Sequence, residues 1–264
     1  AISGNLSISY NRKLSSLNGL HNLTSIGEGL YLTVNNSLTD LTGLNGLMTI
    51  GGELWINSNN SLTNLNGLNN LNSIGGRLAI YENPVISSVS GLDNLTSIGN
   101  GIEINGNFSL VDLSSLINVT SLGGGLLYLE DNNQLDDLTG LDNIDPNSIS
   151  YLLLLRNDRL SMCNVASVCS FLTMPESIST AGLTENAAGC STVTEVYATC
   201  SGPLPCLPSG LTLTTQEEIN EFANTYPDCA KIWGDLVIRE STAGAVKDLS
   251  PLISITEIEG SLSI

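Results

Sequence analysis

An asparagine recurs along this chain at Asn11, Asn35, Asn59, Asn83, Asn107, Asn132 and Asn157, 24 residues apart four times and then 25 apart twice. Each follows an alternating apolar pair: Leu6/Ile8, Leu30/Leu32, Leu54/Ile56, Leu78/Ile80, Ile102/Ile104, Leu127/Leu129 and Leu152/Leu154. Behind the asparagine an apolar residue falls at every third position, as at Leu38, Leu41, Leu44, Leu47 and Ile50, or at Leu62, Leu65, Leu68, Leu71 and Ile74. A Gly-Gly such as Gly51-Gly52 or Gly75-Gly76 follows, and the next pair begins. Self-similarity at a fixed period of this length is the mark of a repeat architecture, and it narrows the fold further than composition does.

The alternating pair reads as a short strand with one face buried. A period of three suits neither a sustained helix nor a strand; it suits a path of turns and short extended or 3₁₀ pieces that keeps returning one side chain inward. Glycine permits the positive-φ corners where the coil turns back. One coil cannot bury its own leucines, but coils stacked about 4.8 Å apart share a continuous core. Each buried leucine then contributes roughly 1.5–3 kcal/mol. The fold expected is mainly β, a right-handed β-helix or leucine-rich-repeat-like solenoid of 24–25-residue coils over residues 1–162.

The asparagine column reads as a structural ladder, each side chain bonding backbone groups that the corner leaves unpaired. Glycosylation is the rival reading, because Asn35-Asn36-Ser37, Asn59-Asn60-Ser61 and Asn107-Phe108-Ser109 are formal sequons. The column persists where the sequon is lost, at Asn83-Pro84 and at Asn132-Asn133-Gln134, which favours the ladder. Further sequons at Asn22, Asn94 and Asn118 fall in an outward slot.

After Asn157 the repeat is expected to fail, its inward slots becoming Cys163, Ala166 and Cys169. Residues 163–200 read as a C-terminal cap of two short helices. Asn164 can N-cap the first, whose Val165, Val168, Cys169 and Leu172 follow helical spacing. Thr192 to Glu195 forms a capping box for the second, with Val193, Val196, Tyr197 and Cys200 on one face. Such a cap covers a last rung whose edge would otherwise invite pairing. Residues 201–205 (SGPLP) read as a linker. Residues 206–264 read as the N-terminal cap and first coils of a second solenoid. There a helix near Thr215 to Thr225 opens on a Thr214–Glu217 capping box, and a triplet run Leu249, Leu252, Ile255, Ile258 leads to Leu262/Ile264. Six cysteines allow fifteen pairings. We expect Cys206–Cys229, which would close the second unit's cap, and Cys163–Cys190 with Cys169–Cys200 for the other four.

Eight basic residues stand against twenty-six acidic ones, a net charge of −18, and phosphate binding needs clustered Lys and Arg; nucleic acid is therefore not an expected partner. No apolar run approaches the roughly 20 residues that span a bilayer, so no membrane insertion is expected in this segment. The chain opens in mid-repeat, so any export signal is expected to lie upstream of Ala1 or to have been removed. Paired cysteines favour an oxidising compartment.

The coil of strand, Asn, LxxLxxL and xxIGG resembles the receptor L-domain fold, a leucine-rich-repeat-like right-handed β-helix. The segments CNVASVCSFL…ENAAGCSTVTEVYATC and CLPSGLTLTTQEEINEFANTYPDCAKIWGDLVI are similar to caps of L-domain-like modules in large surface proteins of Bacteroidota. The resemblance covers nearly the whole chain. It implies secretion and a cell-surface or extracellular location, often in tandem arrays. It carries over no catalytic residue and no defined ligand.

Little in the chain points to catalysis. His21, the only histidine, sits in a generic turn slot occupied elsewhere by Gly46, Asn70 and Asn94, which is no environment for a Ser-His-Asp site. Bridged cysteines leave no thiol nucleophile. Glu130, Asp131, Asp136, Asp137, Asp142 and Asp145 form the densest acidic stretch, but no calcium-loop pattern is present and the stretch reads as a solvated edge. No metal site and no cofactor are expected. Outward strand positions carry Tyr31, Trp55, Tyr81 and Tyr128, which on stacked coils share one sheet face. Exposed aromatics can stack on sugar rings or anchor a protein, while Ala79 and Glu103 interrupt the stripe.

Two functions follow as expectations. The first is an extracellular structural or assembly module, stacking on copies of itself or on adjacent modules of the same chain, because an uncapped first coil and an unfinished last one are complementary. The second is an adhesin-type module that recognises glycan or surface protein through the aromatic face. An enzyme is not expected.

Overall fold

A computed structural model of the chain describes residues 1–174, 177–201, 205–206, 210–226, 229–232, 234–242, 244–258 and 260–264. The fold is mainly strands in parallel sheets, as in a β-solenoid. The main sheet holds eight parallel strands in sequence order. They are β1 (Leu6–Ser9), β2 (Leu30–Thr33), β3 (Leu54–Asn57), β4 (Leu78–Tyr81), β5 (Ile102–Asn105), β6 (Gly125–Glu130), β7 (Ile149–Leu155) and β8 (Ala181–Thr184). Each repeat meets the next in register, Leu6 opposite Leu30, Leu30 opposite Leu54 and Leu54 opposite Leu78. The register shifts between Gly125 and Leu126, which face Ile149 and Tyr151, so the additional residue of that repeat is taken up as a bulge. Two-residue strands at Ser25–Ile26, Thr49–Ile50, Ser73–Ile74 and Ser97–Ile98 form a second, four-stranded parallel sheet.

The leucines set this pattern. Both inward rows of the main sheet and the triplet leucines are fully buried from the second repeat to the seventh, in one continuous core. Part of the triplet path is 3₁₀, at Ser114–Leu116 and Thr139–Leu141.

At the end of each strand the chain must turn so that the following asparagine points inward. The corner residue takes a left-handed conformation at Tyr10, Val34, Ser58, Glu82, Gly106, Asp131, Arg156 and Glu185. Only one of the eight is glycine, and Val34 is β-branched, so the row holds conformations that L-residues disfavour by roughly 1–2 kcal/mol each. Its backbone bonds hold it there: Val34 N–H donates to Asn57 O, Ser58 N–H to Tyr81 O and Glu82 N–H to Asn105 O, each at 3.0 Å.

The asparagines themselves are fully buried from Asn35 to Asn157, while Asn11 is exposed. Each carboxamide oxygen accepts the backbone N–H of the asparagine one repeat earlier, at 2.9 Å for Asn35 to Asn59 and for Asn59 to Asn83. Each carboxamide nitrogen donates to an earlier strand carbonyl, Asn59 to Leu32 and Asn83 to Ile56. The sequon asparagines Asn35, Asn59 and Asn107 are therefore closed to a glycosyl donor in the folded chain. The exposed Asn94 and Asn118 form a second row, their amide nitrogens donating to Asn69 O and Asp93 O at 2.6 and 2.7 Å.

The repeat does not fail after Asn157. Asn157 N–H donates to Asn186 Oδ1 at 3.0 Å, so Asn186 is a further rung, and β8 adds a strand just before it. Helix α1 (Ala166–Leu172) lies in the interval between the two asparagines. Its N-cap position is Val165, not Asn164, and no side chain of its own caps it. Asp142, from the previous coil, accepts the Ala166 N–H at 2.7 Å instead. Ala166 is exposed, and Val165 takes the inward place. In α2 (Val193–Ser201) Thr192 caps Glu195 N–H, but the Glu195 carboxylate reaches back to Gly189 and Ser191 rather than to Thr192. Cys163 is bonded to Cys190 and Cys169 to Cys200, with Cα separations of 5.7 and 5.3 Å.

Ser201 closes α2 and Pro205 opens a strand, Pro205–Cys206, paired with Lys231–Ile232; the intervening linker residues 202–204 lie outside the described residues. A second core then forms around Leu213, Ile219, Phe222, Ile232, Leu236 and Ile238. Its strands β9 (Leu211–Leu213), β10 (Leu236–Ile238) and β11 (Leu262–Ser263) are again parallel. Helix α3 (Gln216–Thr225) is capped by the pair Thr215 and Glu218, one residue later than Thr214 and Glu217. Cys229 is buried and disulfide-bonded, while the side chain of Cys206 lies outside the described residues.

Candidate binding face on the main sheet

Successive side chains of a strand point to opposite faces, so between and beyond the two inward rows run two outward rows. The first is Ser7, Tyr31, Trp55, Ala79, Glu103 and Tyr128; the second is Ser9, Thr33, Asn57, Tyr81, Asn105 and Glu130. Tyr81 therefore stands one row across from Tyr31, Trp55 and Tyr128. That offset brings it to Trp55: the ring centroids are 4.8 Å apart and tilted by 50°. Tilted pairs of this kind stabilise beyond their buried area. Tyr31 turns its ring over Gly29 instead, and Tyr128 lies two repeats beyond Tyr81's strand.

Ala79 and Glu103 separate Trp55 from Tyr128 in the first row, and both are buried. Glu103 accepts from the Tyr81 hydroxyl and from Arg77. Arg77 also reaches Glu53 at 3.1 Å, and its guanidinium carbon lies 5.7 Å from the Trp55 ring centroid. Burial opposes the charge on Arg77, yet the hydrogen bond and charge of Glu103, with that of Glu53, hold its pKa above the ordinary arginine value. Burial, then the Glu103 bond, drives the Tyr81 hydroxyl far above the usual phenol range. Burial and the bond to Glu130 push Tyr128 up to about 12. Both phenols are protonated donors at any physiological pH. Further along, Arg156 binds Glu130 and Asp131 together.

Between these two ion-paired groups lies a hollow of about 380 Å³. Trp55 and Tyr81 form its aromatic wall, and Asn57 and Asn105 add amides. Glu82, Glu130 and Asp131 supply carboxylates, and Gly106 leaves an opening in the left-handed row between Glu82 and Asp131. Of the expected face residues, then, the structure brings together Trp55 and Tyr81 and leaves Tyr31 and Tyr128 outside the hollow. Sequence reasoning missed Arg77, Glu53 and Glu82; their signal was charge placed on strand borders of an otherwise neutral repeat.

The other candidates are structural or solvent-facing. His21 is exposed and falls one residue earlier in the turn than expected, in the row of Asn45, Asn69, Asp93 and Ile117, the last four of which supply carbonyl acceptors to the outer asparagine row. The acidic stretch is largely used locally: Asp137 accepts from Thr139, Asp145 from Asn147, and Asp142 caps α1. Among the described residues no group of three His, Cys, Asp or Glu side chains is placed to hold a metal ion, and no helix is long and apolar enough to cross a membrane. Comparison with family models, curated proteins and solved structures finds no match to this chain.

Proposed function

We propose that this chain is a non-enzymatic recognition module, extracellular or on a cell surface, that binds glycan or surface protein through the Trp55–Tyr81 face. In this reading it is a right-handed, leucine-rich-repeat-like solenoid of 24–25-residue coils, of the receptor L-domain-like kind. The observation that carries the reading is the half-buried Trp55–Tyr81 pair walling a polar hollow on a rigid sheet. Aromatic rings fixed in this way bind with little loss of conformational entropy, and they dominate the energetics of recognition surfaces. Two disulfides fit an oxidising, non-cytoplasmic compartment. Replacing Trp55 and Tyr81 together by Ser is expected to weaken binding to cells and to immobilised glycans or surface proteins by about thirtyfold, the scale of an interface hot spot. Binding that survives the double substitution in a chain with unchanged circular dichroism would defeat the reading.

A second reading rests on the two separate cores, each a stack of parallel strands with its own helix and a disulfide-bonded cysteine. Modules repeated in one chain, or copies stacked end to end, would make an extended structural element. Negative-stain images of the native material are expected to show rods or fibres much longer than one module; compact isolated particles would remove this reading.

A further inference from the structure

The sheet face already contains two bound arginines, and their settings are alike. Arg77 lies between the carboxylates of Glu53 and Glu103, over the Trp55 ring. Arg156 lies on Glu130 and Asp131, where Tyr128 also bonds Glu130. The hollow between them has the same kind of walls: the Trp55 and Tyr81 rings on one side, and Glu82, Glu130 and Asp131 around the rest. It holds no arginine or lysine of this chain among the described residues. Glu82 accepts only from the Ser58 hydroxyl at 3.2 Å and has no ion-pair partner among the described residues. Asn105 adds its amide to the same wall, and its carboxamide oxygen, turned away from solvent, has no hydrogen-bond partner among the described residues.

We propose that this hollow takes a cationic side chain, an arginine or lysine projecting from an extended segment of a partner protein. The inference rests on the binding reading above and narrows its ligand. Guanidinium and ammonium groups offer donors only, and the wall carboxylates are acceptors, Glu82 the least engaged of them. An aromatic ring and a carboxylate together stabilise a cation more than either does alone in water, because the ring excludes solvent from one side. The opening lies in the corner row at Gly106, where a Cβ would come no closer than 3.6 Å to Glu82. Glu82 and Asp131 flank it from adjacent rungs on either side, about 9–10 Å apart along the stack. That gap admits one side chain between Glu82, which has no ion-pair partner among the described residues, and Asp131, which it would share with Arg156. The net charge of −18 favours approach of a basic segment over an acidic one.

The test titrates the full chain at low salt with a blocked Gly-Arg-Gly peptide, its lysine and citrulline counterparts, and cellobiose, reading the Trp55 indole N–H by NMR. The arginine and lysine peptides are expected to shift that signal, and citrulline to bind about tenfold more weakly. Glu82→Gln is expected to weaken the arginine peptide several-fold, to the level that 0.5 M salt produces, by about the same electrostatic contribution. Gly106→Arg is expected to abolish binding by placing the chain's own guanidinium in the hollow; Arg156 shows that the row accepts arginine. Equal binding of citrulline and arginine, or no shift with any peptide, overturns the proposal. A shift with cellobiose alone overturns it while leaving the Trp55–Tyr81 binding reading intact.

Discussion

Asn83→Ala is expected to lower the unfolding free energy by about 3–5 kcal/mol, although it removes only a small polar side chain. The side chain is fully buried. Its oxygen accepts Asn59 N–H at 2.9 Å, and its nitrogen donates to Ile56 O at 3.1 Å and to Tyr81 O at 2.9 Å. Alanine leaves Asn59 N–H and Ile56 C=O buried with no partner on that side, and each orphaned group costs about 1–3 kcal/mol. The damage also falls between repeats, where nearest-neighbour coupling makes a stack cooperative. Urea unfolding followed by circular dichroism measures the loss. Asn60→Ala, next in sequence to the ladder residue Asn59 but exposed, is the control and should change stability by less than about 0.5 kcal/mol. If the two variants unfold alike, the ladder does not hold the stack.

The second large effect belongs to Gly67→Ala. Gly67 has φ +114, and a Cβ there would lie 2.0 Å from Leu41 O and 2.2 Å from Leu41 C, backbone of the preceding rung. Gly19 occupies the equivalent corner two rungs earlier, with φ +113 and nothing within 4 Å of a Cβ. Gly19→Ala therefore reports the conformational cost alone, about 1–2 kcal/mol. Gly67→Ala adds a backbone collision that only separation of two rungs can relieve, and it is expected to cost more than about 4 kcal/mol. Thermal and urea unfolding of the two variants side by side give the difference. A Gly67 variant no worse than the Gly19 one would mean that the rungs are not held at this spacing.

What the sequence made legible was what repeats with it. The inward leucines and the ladder asparagines from Asn11 to Asn157 each occupy a fixed place in the period, so side-chain chemistry and spacing agree at every turn. Asn186 was hidden because α1 and the segment after it lengthen the interval to 29 residues, although Ala181-Gly-Leu-Thr-Glu-Asn186 carries the strand-and-asparagine pattern in outline. The cap of α1 was hidden for a different reason. Asp142 lies a whole coil away from Ala166, and local capping rules see only neighbours. The candidate site fell between these cases. Trp55 and Tyr81 were visible as outward aromatics, but their pairing depends on a shift of one row. The roles of Arg77, Glu103 and Glu82 depend on contacts across three repeats, which no single period displays.

The asparagine ladder has a mechanical consequence. Its bonds, like those of the sheets, run along the stacking direction, so tension applied along the stack pulls on one rung at a time rather than shearing many at once. A 24-residue rung that peels away replaces about 5 Å of stack with roughly 80 Å of chain. A pulled stack would therefore lengthen in large steps at modest force and absorb work with each step. The Cys163–Cys190 and Cys169–Cys200 bonds limit how far the cap segment can be drawn out, so the solenoid rungs yield the most length.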